Sequence, residues 1–198
     1  YTLDEKGKPA LHNPAHVNLG LAIDVPSANG ERRLLVPSVK NADTLDLASF
    51  IDAYDALVVK ARKGQLTVDD FKDTTVTLTN PGMIGTLNSV PRLMPGQGLI
   101  MGVGAMTYPA AFAGASPETL ARQAVGKVLT LSNTYDHRVI QGAQSGELLR
   151  LMERKLMGLD GFWNRSFKAL RIPHEPVHWD QDVTYDPLAD AGKPARVA

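Results

Sequence analysis

The most informative segment of the chain is Tyr135-Asp-His-Arg-Val-Ile-Gln-Gly142, in which a histidine flanked by an acidic and a basic residue closes a β-type segment before an amphipathic helix. A histidine at a strand end suits acid–base chemistry, because imidazole exchanges a proton near neutral pH and the strand fixes its direction. A lone histidine is nevertheless more often a core residue with satisfied hydrogen bonds. The rest of the sequence must decide between these interpretations of His137.

Strand-like and helix-like hydrophobic periods alternate along the rest of the chain, which indicates an α/β or α+β fold with a sheet layer and a helix layer. The pattern predicts these elements: a hairpin over 17–39 with a turn at Asn29-Gly30, a helix over 47–61 capped by Asp46, a short helix over 67–71, strands over 74–79, 99–105 and 127–135, and a helix over 143–157.

Composition excludes several classes of function. The chain has 198 residues, of which 43% are apolar, so it can bury one substantial core. Basic and acidic residues both number 21, so no net field attracts nucleic acid or an anionic membrane. Cysteine is absent, which argues against disulfides and a thiolate nucleophile and favours the cytoplasm. No apolar run of about 18 residues and no signal peptide is visible, so neither a membrane nor secretion is expected.

Two histidine pairs have the i,i+4 spacing of metal ligands on a helix, namely His12 with His16 and His174 with His178. Both pairs lie beside proline and lack an accompanying set of acidic ligands. We therefore expect no metal site in this chain.

The octapeptide 135–142 resembles the Asp-His-Arg-x-x-Asp-Gly signature of the lipoamide acyltransferases, the E2 components of the 2-oxoacid dehydrogenase complexes. Their catalytic domain is related to chloramphenicol acetyltransferase. The resemblance covers about residues 16–157 and includes five further segments in the family's order: 17–24, 35–42, 63–71, 77–83 and 102–104. On these segments the chain is identified as a member of the family, and a chloramphenicol acetyltransferase-like fold is implied, with a mixed sheet packed against helices in a trimer.

The second acid of the signature is absent, because Gln141 stands four residues after His137. This variant resembles the acyltransferase module of actinobacterial 2-oxoglutarate dehydrogenases, which is fused ahead of a thiamine-dependent decarboxylase. The resemblance divides the chain into a catalytic domain over 1–157, which lacks the family's opening helix-and-strand region, and a segment over 158–198. We expect the second segment, with aromatic residues on a short helix and then scattered prolines, to be a linker to the decarboxylase.

The resemblance also implies roles for individual residues. His137 would be the general base, and Thr79 would donate a hydrogen bond to the oxyanion, a role that rests on the resemblance alone. Gln141 can replace the hydrogen bond of the missing acid but not its charge. Supporting roles are expected for the flanking residues Asp136, Arg138 and Asn80.

The function implied by the resemblance is dihydrolipoyl succinyltransferase in the 2-oxoglutarate dehydrogenase reaction of the citric acid cycle. Coenzyme A would be a substrate, and the lipoyl group would come from another protein, whereas thiamine diphosphate and magnesium would belong to the fused module outside this chain. His137 of one subunit would face Thr79 of the next. Expected partners are a lipoyl-bearing E2 protein, dihydrolipoamide dehydrogenase and the fused E1-like module.

Two other functions stay open at this point. The domain could be a catalytically silent trimeric scaffold that holds the decarboxylase, since Gln141 departs from the signature. It could instead be a coenzyme A-dependent O-acetyltransferase that uses the same histidine.

Overall fold

The computed structural model describes residues 2–26 and 30–173. Its strands and α-helices are β1 (Thr2–Leu3), β2 (Pro9–Ala10), β3 (Leu19–Leu21), β4 (Ile23–Pro26), β5 (Arg32–Leu35), β6 (Ser38–Val39), α1 (Leu47–Arg62), β7 (Val76–Thr79), β8 (Leu99–Val103), α2 (Pro117–Arg122), β9 (Leu131–Tyr135), α3 (Gly142–Leu156) and α4 (Phe162–Ala169). Short 3-10 helices cover Ala42–Thr44, Val68–Asp70, Pro81–Ile84, Ala110–Phe112 and Leu159–Gly161. None of the described helices is long and apolar enough to cross a membrane.

Five strands form the central sheet in the order β6-β3-β7-β8-β9. The three inner strands β3, β7 and β8 are parallel, and the edge strands β6 and β9 are antiparallel to their neighbours. The sheet is therefore mixed, as predicted. Two further pairs of strands, β1 with β2 and β4 with β5, form separate antiparallel ribbons.

The two faces of the sheet carry different side chains. Pairing aligns one row of residues on the helix side of the sheet: Leu21, Leu78, Met101 and Asn133. The adjacent row, on the opposite face because side chains alternate along strands, is Gly20, Thr77, Ile100 and Thr134. The first face is mainly apolar and packs against helices, whereas the second consists mainly of small and polar residues.

Helix α1 covers one half of the apolar face. The Asp46 carboxylate caps its start by accepting the Ser49 N–H at 2.7 Å, as the sequence predicts. Leu57 lies in the core with Leu21 and Val39. Apolar burial of this kind supplies the main driving force that holds the helix on the sheet.

An irregular segment over 85–97 covers the opposite face. The buried Thr77 hydroxyl donates to Gln97 Oε1 at 2.7 Å, and the Ser132 hydroxyl donates to the Ser89 carbonyl at 2.6 Å. A Cβ atom at Gly102 would lie 2.7 Å from the Ser132 hydroxyl oxygen, so a side chain there would displace that hydroxyl. Polar contacts and close approach therefore fix this segment without regular secondary structure.

Several element boundaries differ from the prediction. The hairpin over 17–39 forms as two ladders separated at Ala22, and Asn29 of its turn lies outside the described residues. The strand predicted over 127–135 is regular only as β9. Val128 instead makes an isolated bridge to Thr107, because the chain leaves the sheet after β8 and offers β9 no continuous partner.

The segment after residue 157 begins with the predicted short helix. This helix, α4, contacts α1 and α3, and Trp163 Nε1–H donates to the Leu156 carbonyl at 3.0 Å. The first part of the segment therefore packs on the preceding elements. The division at residues 157 and 158 stays a prediction, and residues 174–198 lie outside the described part of the chain.

Candidate active site

His137 lies at the tip of a tight turn between β9 and α3. The Asp136 N–H donates to the Gly98 carbonyl at 3.0 Å, which ties the start of the turn to the sheet. The Asp136 carbonyl accepts the N–H groups of Val139 and Ile140, each at 3.0 Å. The backbone around His137 is thus fixed while its side chain is exposed.

The side chains of Asp136 and Arg138 close the same turn. Asp136 Oδ1 accepts the Arg138 Nε–H at 2.8 Å and the Arg138 backbone N–H at 3.0 Å, and Oδ2 accepts Nη2–H at 2.6 Å. The Arg138 guanidinium and then its backbone N–H lower the pKa of Asp136 to about 2. The carboxylate is 13% exposed, so this pair is better described as part of the turn than as a surface ion pair.

Gln141 begins α3 four residues after His137. Its N–H donates to Gln144 Oε1 at 2.8 Å, and its carbonyl accepts the Ser145 N–H at 3.1 Å. Its side chain is exposed. Gln141 therefore takes part in starting the helix that follows the turn containing His137.

The His137 ring has one neighbour of defined geometry. The Tyr135 ring lies 5.5 Å away between centroids, with an angle of 45° between the planes. Neither ring nitrogen of His137 makes a hydrogen bond to a residue in the described part of the chain. An unengaged nitrogen can accept a proton from a bound substrate.

Thr79 ends β7 opposite Gly102 of β8 and lies on the sheet face away from the helices. Its side chain is half-buried, and its hydroxyl makes no hydrogen bond to the described residues. Asn80 follows as an exposed residue at the start of the 3-10 helix Pro81–Ile84. Thr79 can therefore donate its hydroxyl proton to a ligand.

Close backbone contacts fix the loop after Thr79. A Cβ atom at Gly82 would lie 2.3 Å from the Gly104 carbonyl carbon, and one at Gly104 would lie 2.0 Å from the Leu87 carbonyl oxygen. The Ala105 N–H also donates to the Thr86 carbonyl at 2.8 Å. Only residues without a side chain permit this approach of two backbone segments.

The same loop exposes large apolar side chains. Met83, Ile84 and Val90 are 85%, 74% and 82% exposed, and Leu87 is 60% exposed. We call these four residues the apolar loop surface. A cluster of exposed apolar residues commonly marks a site of interaction with another protein.

Thr79 and His137 lie at opposite ends of the sheet in one chain. Thr79 pairs with Gly102, near the end of β8, whereas Tyr135 pairs with Leu99, at the start of β8. His137 lies two residues farther along the chain from Tyr135. Three residues of strand correspond to roughly 10 Å, and the two inter-strand spacings from β7 to β9 add roughly 10 Å sideways. A single small group therefore cannot contact both residues of one chain.

Two adjoining cavities lie near the His137 end of the sheet. The larger, of about 740 Å³, is lined by His12, His16 and Gln97 among others, and the second, of about 570 Å³, reaches Val139 in the turn that contains His137. His16 Nδ1 lies 3.2 Å from Asp43 Oδ2. No group of three or more histidine, aspartate or glutamate side chains in the described residues could hold a metal ion.

Residues 2–159 match the family model described as 2-oxoacid dehydrogenases acyltransferase (catalytic domain). The chain belongs to this family. Two curated relatives of the acyltransferase domain are the 2-oxoglutarate dehydrogenase E1/E2 component of Corynebacterium glutamicum, 54% identical over 177 residues, and the multifunctional 2-oxoglutarate metabolism enzyme of Mycolicibacterium vanbaalenii, 53% identical over 191 residues. The matches cover 89% and 96% of this chain but only 14% and 15% of those proteins.

Solved structures give the same fold. The dihydrolipoamide acetyltransferase of Azotobacter vinelandii matches with a TM-score of 0.58 and 28% identity over 76% of this chain and 57% of that one. A truncated catalytic core from Thermoplasma acidophilum matches with a TM-score of 0.62 and 25% identity over 80% and 64% of the two chains. The fold predicted for the acyltransferase domain from the histidine motif is thereby confirmed.

The Azotobacter enzyme was studied for the roles of a serine, a histidine and an asparagine in catalysis, and its histidine and asparagine stand four positions apart. In the present domain, the turn and α3 bring His137, Asp136, Arg138 and Gln141 together, whereas Thr79 and Asn80 lie elsewhere. The sequence prediction missed two features of β9, the Tyr135 ring, which contacts His137, and the Asn133 side chain, which contacts Ser145 of α3. Alternation along the strand places both on the helix side, which was the available signal.

Proposed function

We propose that this domain is a dihydrolipoyl succinyltransferase whose active sites form between subunits of a trimer. The observation that carries the proposal is the separation of Thr79 from His137 within one chain, although each has a free polar group. A neighbouring copy that brings its Thr79 end against the His137 end of the first would complete the site. The apolar loop surface beside Thr79 supplies the area that such a contact would bury.

The proposed reaction is thiol–thioester exchange. A neutral His137 ring accepts the proton of the coenzyme A thiol, and the resulting thiolate attacks the succinyl carbonyl of the lipoyl thioester. The new carbon–sulfur bond forms as the carbonyl oxygen becomes negative, and the Thr79 hydroxyl of the neighbouring subunit donates a hydrogen bond to it. Collapse breaks the bond to the lipoyl sulfur, which takes the proton back from His137.

The proposed identities of the acyl group and of the partners are based on the names of the relatives. Both curated relatives carry 2-oxoglutarate in their names, and oxidation of that acid leaves a succinyl group. The proposal therefore includes coenzyme A as a substrate, a lipoyl group supplied by a separate E2 protein, dihydrolipoamide dehydrogenase and a fused E1-like module. A related structure is the cubic core of a pyruvate dehydrogenase multienzyme complex, which supports a role in a larger assembly.

Glutamine at position 141, in place of the acid of the signature, is compatible with catalysis by His137. It keeps the backbone contacts that begin α3, and the fixed turn before it holds His137 without help from an acid at that position. The histidine and the amide residue of the Azotobacter enzyme have the same spacing as His137 and Gln141, which supports equivalent positions. We therefore favour the active enzyme over the silent scaffold.

Complementation between two inactive variants tests the proposal. His137→Ala and Thr79→Ala chains are co-expressed with different tags, the mixed assemblies are purified, and succinyl transfer from succinyl-coenzyme A to dihydrolipoamide is measured. A site that combines His137 of the Thr79→Ala chain with Thr79 of the His137→Ala chain is intact. Mixed assemblies should therefore recover activity that neither variant has alone.

The controls separate the alternatives. Each variant purified alone gives the background, and a chain with both substitutions, mixed with either single variant, should recover nothing. Wild-type chain without transfer to dihydrolipoamide would favour the scaffold, and acetyl transfer to an alcohol acceptor would favour an O-acetyltransferase. Active wild type without complementation would contradict the intersubunit site.

A further inference from the structure

The catalytic turn is closed by a bond between the two elements that flank it. The Ser145 hydroxyl of α3 donates to Asn133 Oδ1 of β9 at 3.0 Å. Ser145 is only 6% exposed, and the Asn133 amide nitrogen is buried without a hydrogen-bond partner among the described residues. This bond joins two residues that are twelve positions apart, on either side of His137, and it fixes the start of α3 against β9.

An unpaired buried donor costs free energy, on the order of 1–3 kcal/mol. Leucine or methionine would fill the Asn133 position of the helix-facing row without that cost, as Leu21, Leu78 and Met101 do in the same row. Asn133 instead carries an amide whose oxygen accepts the Ser145 hydrogen bond and whose nitrogen has no partner among the described residues. A role of the Asn133–Ser145 bond in fixing the geometry of the turn would explain why this position carries asparagine despite the lost free energy.

Tyr135 lies on the same face of β9, two residues beyond Asn133. Its ring contacts the His137 imidazole, and its hydroxyl lies 3.7 Å from the position of a Cβ atom on Gly142, at the start of α3. The Tyr135 side chain is therefore close to both the His137 imidazole and the first turn of the helix. It limits the directions that the exposed imidazole can take.

We propose that Asn133, Ser145 and Tyr135 are positioning residues for His137. The Asn133–Ser145 bond sets where α3 begins and so sets the backbone of the turn, while the Tyr135 ring sets the plane of the imidazole. None of the three needs to touch the substrate. The proposal deepens the function proposed above and rests on His137 being the base.

The test uses paired substitutions in the full chain. Ser145→Ala deletes the hydroxyl, and Tyr135→Leu deletes the ring while keeping an apolar side chain. Both should lower kcat roughly ten- to a hundredfold, with KM for coenzyme A changed less than about twofold, because misplacing a catalytic group affects the chemical step more than binding. Tyr135→Phe keeps the ring and should stay within about twofold of wild type.

Two comparisons separate positioning from general damage. Ser132→Ala removes the bond to the Ser89 carbonyl on the other face of the same strand. It should lower thermal stability about as much as Ser145→Ala. The double variant Asn133→Ala/Ser145→Ala should lose no more kcat than either single variant, because both delete the same bond.

A second readout does not depend on turnover. In protein labelled with carbon-13 at the histidine rings and assigned with His137→Gln, the His137 ring signal reports its environment and order. Ser145→Ala and Tyr135→Leu should shift or broaden that signal, and Ser132→Ala should leave it unchanged. If wild type proves inactive, the function proposed above fails, and this readout still decides the positioning.

The proposal is overturned if Ser145→Ala and Tyr135→Leu keep both wild-type kcat and the wild-type His137 signal. It is also overturned if Ser132→Ala changes that signal as much as Ser145→Ala does. Loss of activity through a raised KM for coenzyme A alone would assign these residues to substrate binding instead.

Discussion

The two ends of the sheet hold their candidate catalytic residues by different means. At the His137 end, polar side chains and backbone amides fix the turn, and the single residue Asp136 accepts hydrogen bonds from several donors. At the Thr79 end, backbone segments at Gly82 and Gly104 touch directly, and large apolar side chains face outward. The first end is stabilised within the chain, whereas the second presents a surface that a partner could cover.

Under the proposed mechanism, this division gives the two ends of the sheet different tasks. An exposed base must keep its direction without burial, and hydrogen bonds supply that direction. A hydroxyl that acts on another subunit's substrate needs a docking surface around it, and apolar area supplies the binding free energy. The five predictions below test this division, beginning with the largest expected effect.

His137→Ala should reduce succinyl transfer roughly a hundred- to ten-thousandfold, the usual range for loss of a general base. The assembly should keep its size in light scattering, because the ring is exposed and makes no hydrogen bond within the described residues. An unchanged transfer rate would remove His137 from the mechanism.

Thr79→Ala should lower kcat roughly ten- to a thousandfold, with little change in KM for coenzyme A, since a donor to the oxyanion acts mainly in the transition state. Thr79→Ser keeps the hydroxyl and should retain most of the activity. If both variants lose activity equally, or if Thr79→Ala mainly raises KM, the hydroxyl does not act on the oxyanion.

Ile84→Glu should weaken subunit association roughly ten- to a hundredfold, which corresponds to the burial of one large aliphatic side chain. Sedimentation at several protein concentrations measures the change, and activity should return as the concentration rises. Val59→Glu is the control, because Val59 is exposed on α1, away from the apolar loop surface. Equal effects of the two variants would mean that the loop has no special part in association.

Asp136→Asn should make the domain less stable at neutral pH but not in strong acid. The pKa of Asp136 is lowered to about 2 by Arg138, so its contribution is full above the unfolded value of about 4 and is lost as pH falls toward 2. The difference in melting temperature between wild type and Asp136→Asn should therefore be constant above about pH 5 and shrink between pH 4 and 2. A difference that does not depend on pH would show that the charge is unimportant.

Gln141→Asp should have the smallest effect. A carboxylate near His137 would favour the protonated ring, so the acidic limb of the pH–rate profile should move upward by up to roughly one pH unit. Gln141→Asn is the neutral control and should lower activity modestly without moving the limb. Failure of Gln141→Asp to fold, together with inactive wild type, would instead indicate a repurposed scaffold.

The sequence predicted local features of the site better than its assembly. The motif around His137 and the β-branched run before Asn80 identified two strand ends, and both strands form. Hydrophobic periodicity does not give the order or the direction of the strands. It therefore cannot say at which edge of the sheet each of these strands ends. The opposite positions of Thr79 and His137 therefore emerged only from the register of β7, β8 and β9.

The hydrophobic pattern also does not predict which polar side chains contact each other across different elements. Asn133 and Ser145 are twelve residues apart on different elements, and each alone is an ordinary polar residue in an amphipathic pattern. The length of β9 was overestimated for a related reason. Residues 127–130 of the predicted strand have suitable β-propensity, but a strand also needs a continuous neighbouring strand to pair with.

The contact between Gly82 and Gly104 separates the path of the loop from the side chains that the loop displays. Because backbone contacts at Gly82 and Leu87 fix both ends of the segment between them, we expect the loop to keep its path when Met83 and Ile84 are exchanged for other apolar residues. These positions can therefore be exchanged as a set while Thr79 stays in place. In the proposed trimer, exchanging these residues would give subunits that associate only with copies carrying the same set, while the proposed active-site residues stay unchanged.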